Sequence, residues 1–239
     1  MKPIVFFCLF LIFLIGCSQQ NENLSLQDKK IYEFSWCSYK EGFDPQDLNK
    51  ELISYIGFIK NLNNQNGLHK ETRYLNPSFK QNQYDFSWLD IFKSELENKA
   101  FYEFSKNSEI YKNWLSSKDE IVNCDSIKQV FSEIRIVNDY KLLDGNQTYI
   151  SFCKLRDGFE ISYLIPEIRS NSVFNDRAYN LAILVPNFKM TDFDFLIHLE
   201  TNFLFNGLDL IQKSGLDNAC EEYENYPANS LLFNTYIID

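Results

Sequence analysis

The apolar positions change their period several times along the chain, and each change marks an element. Residues 31–39 are rich in aromatic side chains and read as a strand that Gly42 ends. Asp44-Pro45-Gln46-Asp47 then opens a helix, with a capping residue followed by proline at its first position. Leu48, Leu52, Ile56, Ile59 and Leu62 follow at helical spacing until Asn66-Gly67. Residues 68–79 and 84–92 read as strands, and Ser94-Glu95-Leu96-Glu97 is a capping box opening a second helix. A further helical stretch covers 108–116, and Cys124 precedes a last strand over 130–137. A second series follows: strand 148–155, helix 160–171, strands 178–186 and 192–199, helix 207–223 and strand 230–238. Pro166 works against a regular helix at 160–171, because proline removes a backbone donor.

The two series are copies. Ser35-Trp36-Cys37-Ser38-Tyr39-Lys40-Glu41-Gly42-Phe43 aligns with Ser151-Phe152-Cys153-Lys154-Leu155-Arg156-Asp157-Gly158-Phe159. Leu75-Asn76-Pro77-Ser78-Phe79-Lys80 aligns with Leu184-Val185-Pro186-Asn187-Phe188-Lys189, followed at equal spacing by Tyr84-Asp85-Phe86 and Phe193-Asp194-Phe195. Three blocks in the same order indicate a duplication. Each copy has the order β-α-β-β-α-β, the ferredoxin-like arrangement. The expected fold is therefore α+β, with ferredoxin-like repeats at 31–139 and 140–239 packed sheet to sheet and helices outside. This arrangement resembles the dimeric α/β-barrel superfamily, here as a pseudo-dimer in one chain. Trp36-Cys37 with Gly42, and Asp85-Phe86-Ser87-Trp88-Leu89, are also similar to proteins of marine bacteria.

Ahead of the repeats, Met1-Lys2-Pro3 leads into an unbroken apolar run from Ile4 to Ile15, then Gly16-Cys17-Ser18. At ~1.5 Å per residue such a run spans about 18 Å, short of the ~30 Å hydrocarbon core but suited to a signal peptide. Leu14-Ile15-Gly16-Cys17 resembles the lipobox of bacterial lipoproteins. The resemblance implies a signal peptide over 1–16, cleavage before Cys17, lipid on the Cys17 thiol and a tether over 17–30. Ser18 resembles the residue that sends such proteins to the outer membrane, so the expected place is the cell envelope, facing the periplasm. Several acyl chains together make a stable anchor.

Composition narrows the partners. Twenty-three basic against 33 acidic side chains leave a net charge of −10, which disfavours nucleic acid and leaves membrane attachment to the lipid. Cys37, Cys124, Cys153 and Cys220 remain beyond the signal, an even set in an oxidising compartment, and four cysteines allow three pairings. Periodicity does not choose among them. In the ferredoxin-like order 4-1-3-2, however, the end of strand 1 lies beside the start of strand 4, which implies Cys37–Cys124 and Cys153–Cys220.

Catalytic signatures are few. The two histidines, His69 and His198, have no paired-ligand spacing, so no metal or other cofactor is expected. There is no Gly-x-Ser-x-Gly elbow and no glycine-rich phosphate loop, and no residue is assigned as catalytic. The candidate pocket is the space between the sheets, with Trp36, Asp85, Trp88, Asp194 and His198 as lining residues and a small apolar ligand or an envelope protein as partner. The competing reading has Asp85 and Asp194 capping turns, and His198 and both tryptophans as core. The expected function is a lipid-anchored binding or interaction module. The alternative is an oxygenase-like or haem-handling enzyme, since antibiotic-biosynthesis monooxygenases and haem-degrading proteins share the barrel fold.

Overall fold

The computed structural model describes residues 29–68, 70–77, 84–125, 129–137, 147–170, 179–187, 193–201 and 216–232. The signal segment, Cys17 and His69 lie outside them. The first repeat contains β1 (Ile31–Tyr39), α1 (Pro45–Asn66), β2 (Lys70–Pro77), β3 (Phe86–Phe92), α2 (Glu95–Asn107), α3 (Glu109–Ile121), β4 (Val122–Cys124) and β5 (Gln129–Val137). The second contains β6 (Gln147–Leu155), α4 (Ile161–Ser170), β7 (Tyr179–Pro186), β8 (Phe195–Thr201), α5 (Leu216–Ala219) and β9 (Cys220–Leu232). The duplication holds residue for residue: β1, β2 and β3 match β6, β7 and β8 in both length and position within the aligned blocks.

Each repeat has the strand order 4-1-3-2, as β5-β1-β3-β2 and β9-β6-β8-β7. The two sheets do more than face each other. β5 pairs with β7 and β2 pairs with β9, both antiparallel, so the strands form one closed ring. β4 extends the row of β5 along β1, pairing Cys37 to Tyr39 where β5 covers Ile31 to Phe34. In the second repeat the single long strand β9 covers that whole edge of β6 and then reaches β2.

Local chemistry sets the helix ends. Asp44 accepts from the backbone N–H groups of Gln46 and Asp47, and Asp47 accepts from the Asp44 N–H, completing a capping box with Pro45 in the first turn. Gly67 closes α1 in the left-handed region at φ 63°. The buried stripe of α1 is Leu48, Leu52, Tyr55, Phe58, Ile59 and Leu62. α4 runs through Pro166.

Three expectations need correction. The helix expected over 207–223 covers only Leu216–Ala219 among the described residues, and 220–223 belong to β9. The last strand therefore begins ten positions before the expected 230. Pairing with β6 along its full length overrides the weak local pattern there. α3 also runs past 116 to Ile121 and leads directly into β4, which periodicity did not reveal.

Alternation along the strands builds three cores. Under the first repeat's helices lie Ile31, Cys37, Tyr74, Phe86, Trp88 and Phe92, packed with α1 to α3. Under the second lie Tyr149, Cys153, Leu181, Ile183, Phe195, Ile197 and Leu199. The lumen of the barrel is filled by Tyr32, Phe34, Leu75, Leu89, Ile91, Phe131, Ile150, Ala182, Leu184 and Leu196.

Both disulfides form as the topology implied. Cys37 and Cys124 are direct register partners on β1 and β4, and Cys153 bonds to Cys220 at the start of β9. Each closes a long loop, so replacing either pair with serine should cost about 2–4 kcal/mol. Urea denaturation of the two double variants should show losses of similar size, since the bridges hold equivalent places.

Candidate functional site

The five residues expected in one pocket fall into three places. Asp85 and Asp194 sit at strand ends. The Asp85 N–H donates to the Cys37 carbonyl at 2.9 Å and its carboxylate accepts from the Tyr39 N–H at 2.8 Å. Asp194 repeats both bonds with Cys153 and Leu155 at the same lengths. Each aspartate thus fixes the bend that leads into β3 or β8. The bend also reverses the residue before it. Tyr84 packs against Trp36 and Phe193 packs in the lumen, although regular alternation from Phe86 and Phe195 would set both beneath the helices.

Trp36 and His198 face the lumen, at different depths. Half-buried Trp36 packs against Phe34, Tyr84 and Phe152, and its indole N–H donates to the Gln129 side chain at 3.1 Å. His198, 2 % exposed, meets the ring of Tyr32 edge-on at 5.4 Å. Beside it Arg73 bridges Glu71 and Glu200. The His198 Nε2 stands 3.7 Å from the Glu200 carboxylate, too far for a hydrogen bond. Burial first, then the positive charges of Arg73 and Lys30, push His198 down to about 3, so the ring is neutral at physiological pH. The buried hydroxyl of Thr148, across from Glu200 on β6, makes no hydrogen bond among the described residues.

Trp88 lies on the opposite face, under the helices, at the edge of a cavity that periodicity did not disclose. The cavity measures about 60 Å³ and lies between β1, β3, α1 and α3. Its walls include Trp88, Trp114, Tyr55, Tyr111, Ser35 and Asp90. The rings form one packed group: Tyr55 stacks on Trp114 at 4.8 Å and meets Trp88 at 5.5 Å, with Trp88 and Trp114 5.7 Å apart. Asp90 is 2 % exposed. One of its oxygens accepts from Thr72 at 2.8 Å and from the Trp88 indole at 3.1 Å, and the other pairs with the Lys70 ammonium at 3.0 Å. Lys70 in turn donates to the Tyr55 hydroxyl and lies over the ring of Phe101 at 4.0 Å. Burial, then the charge of Asp90, pushes the Tyr55 phenol well up, so it remains protonated.

The second repeat supplies an internal comparison. At the positions equivalent to Lys70, Thr72, Trp88 and Asp90 it carries Tyr179, Leu181, Ile197 and Leu199. Leu181, Ile197 and Leu199 are fully buried in an apolar core. The scaffold therefore does not require polar groups at the positions of Thr72, Trp88 and Asp90.

Comparison with known proteins rests on structure. No family model matches the chain, and no curated protein matches its sequence. A chlorite dismutase variant of Candidatus Nitrospira defluvii superposes with a TM-score of 0.55 at 9% identity, over 88% of this chain and 94% of that one. A candidate monooxygenase of Fusobacterium nucleatum superposes with a TM-score of 0.58 at 10% identity, over 87% and 95%. The chain has the dimeric α/β-barrel fold. At these identities the likeness establishes architecture alone.

The described residues do not suit a haem. His198, the histidine among them, is packed in the filled lumen beside an ion pair, and the cavity walls carry no histidine.

Two expectations follow for stability. Asp85→Ala and Asp194→Ala should each cost about 1.5–3 kcal/mol, and by similar amounts, in chemical denaturation. For His198, the folded state holds fewer protons than the unfolded chain between about pH 3 and 6.5. Its contribution is thus constant above 6.5 and falls by up to ~1.4 kcal/mol per pH unit below it. His198→Leu, the residue of the equivalent Leu89, should flatten that part of the stability-against-pH curve; an unchanged slope would show that other groups set it.

Proposed function

We propose that the chain is an exported, lipid-anchored protein that handles a small molecule in the cavity of its first repeat, in the manner of an oxygenase-like enzyme. The carrying observation is the contrast between repeats: Asp90, its partner Thr72 and the indole donor of Trp88 stand where the duplicate has packed Leu199, Leu181 and Ile197. A buried ion pair is weak support for stability, since apolar replacement of both partners is often neutral or stabilising. Its retention beside a cavity therefore supports a role toward a ligand. Aromatic walls with a few convergent polar groups are the usual make-up of such sites.

The structural neighbours favour the enzymatic branch over a purely mechanical envelope partner. One is a chlorite dismutase and another a candidate monooxygenase. In this chain the aromatic rings would orient the ligand and exclude water, while Asp90 would accept a hydrogen bond from it. The anchor follows from Leu14-Ile15-Gly16-Cys17. Among the described residues no helix is long and apolar enough to cross a membrane.

The test is retention of the ligand. The full chain, expressed in a bacterium with lipoprotein processing, should partition with membranes, and Cys17→Ala should release it. Native mass spectrometry of residues 18–239 taken from the periplasm should show an added mass that leaves on denaturation. Grafting the second repeat's residues as Lys70→Tyr, Thr72→Leu, Trp88→Ile and Asp90→Leu should abolish that mass at little cost in stability. Asp90→Ala alone should cost ~3–5 kcal/mol, because it strands Lys70. Oxygen uptake with consumption of the retained molecule would assign an enzyme. Its unchanged release would assign a binding module, and equal retention by the graft would refute the cavity as the site.

A further inference from the structure

We infer that the cavity beneath α1 and α3 takes a small ammonium, either the ammonium ion itself or a short primary or methylated amine. This rests on the reading of that cavity as the working site and adds its ligand class. Three features of the walls carry it.

The first is the charge on the wall. Among the described residues Asp90 is the one carboxylate lining the cavity, and it is almost fully buried. Lys70 balances its charge, but its oxygens can only accept, so a ligand that donates hydrogen bonds is favoured there over an anion, which has none to donate. The lysine in the lining, Lys118, pairs with Asp119 at 3.1 Å, which draws its positive end away toward an exposed partner. A carboxylate accepts several hydrogen bonds at once, so Lys70 on one side is compatible with a second ammonium on the cavity side.

The second is the aromatic enclosure. Trp88, Trp114, Tyr55 and Tyr111 all line the space. The faces of such rings carry negative potential and attract cations, tryptophan most of all. Tyr55 stays protonated, so the attraction comes from ring faces and Asp90 rather than from a phenolate.

The third is that the same surroundings already hold an ammonium. Lys70 lies 5.1 Å from the ring centre of Tyr55, 5.6 Å from that of Phe92 and 4.0 Å from that of Phe101, paired with Asp90 at 3.0 Å. Tyr55 and Asp90 belong both to this enclosure and to the cavity wall. The cavity thus repeats, on the near side of Asp90, the environment that accommodates Lys70 on the far side. About 60 Å³ admits a few heavy atoms, a size that suits ammonium or a small amine.

Tryptophan fluorescence reads the site directly, because Trp88 and Trp114 form its wall. Residues 18–239 would be titrated with methylammonium chloride, with sodium chloride, sodium acetate and ethanol as controls of charge and size. The expected result is a saturable change with methylammonium alone. Asp90→Asn should weaken it at least tenfold. Because that variant removes the carboxylate that balances Lys70, Lys70→Met with Asp90→Asn provides a folded counterpart and should show the same loss. An equal response to ethanol would overturn the charge requirement, and a response to acetate would reverse its sign. Silence toward all of them would overturn the ammonium assignment. The cavity as working site is judged separately, by whether the four-residue graft loses its retained mass.

Discussion

Closure of the barrel is the constraint on which the rest depends. A four-stranded ferredoxin-like sheet has two open edges, each a row of unpaired backbone donors and acceptors. Here β2 meets β9 and β5 meets β7, so each repeat's open edges are completed by the other. The lumen is then sealed on all sides and must be filled by side chains from both repeats. Tyr32, Phe34 and Phe131 of one half meet Ile150, Leu184 and Leu196 of the other there. Neither repeat can keep this core alone, and the helices are consequently free to cover the outer faces independently. That separation is why chemistry specific to one repeat can develop outside the barrel without disturbing its interior.

Much of this was legible in the sequence because duplication doubles the signal. The aligned Gly42 and Gly158 both adopt φ 86°, a conformation that strongly favours glycine, so their recurrence reports the same turn twice. The cysteine pairing followed from strand order and needed no side-chain detail. The strand-end aspartates recur in the aligned blocks, but their bonds run to the far ends of β1 and β6, which a reading of them as local turn caps did not disclose. Other features were hidden for physical reasons. β9 starts early because partners far away in the chain, not local periodicity, hold it. The cavity was invisible because its walls come from β1, β3, α1 and α3, and because Trp88 and Asp90 look like any other residues on one face of a strand. Comparing the two copies position by position in strands 2 and 3 would have exposed the contrast of Lys70, Thr72, Trp88 and Asp90 with Tyr179, Leu181, Ile197 and Leu199.

The polar clusters around Arg73 and around Asp90 differ in kind. The lumen cluster takes Arg73 from the first repeat and His198 and Glu200 from the second, and it ties the halves together. Its histidine is held neutral by burial and neighbouring positive charge, which suits a packed interior. The cluster around Asp90 lies within one repeat, beside open space and a layer of aromatic rings. Position relative to the barrel wall, more than residue type, separates the two.

One contact carries a consequence about symmetry. Trp36 and Phe152 hold the same place in the two copies, and their rings lie 6.4 Å apart across the lumen. Residues that meet their own duplicates mark the pseudo-twofold axis. In an assembly of two identical chains that spot would be bound to carry a self-pair, the same side chain facing itself. Fusion into one chain removes the bond between the two choices, and a large indole that donates to Gln129 now faces a smaller ring with no polar atom. The lumen mouth is thereby given a handedness, with two distinguishable sides, that no homodimer of this fold could possess at its axis.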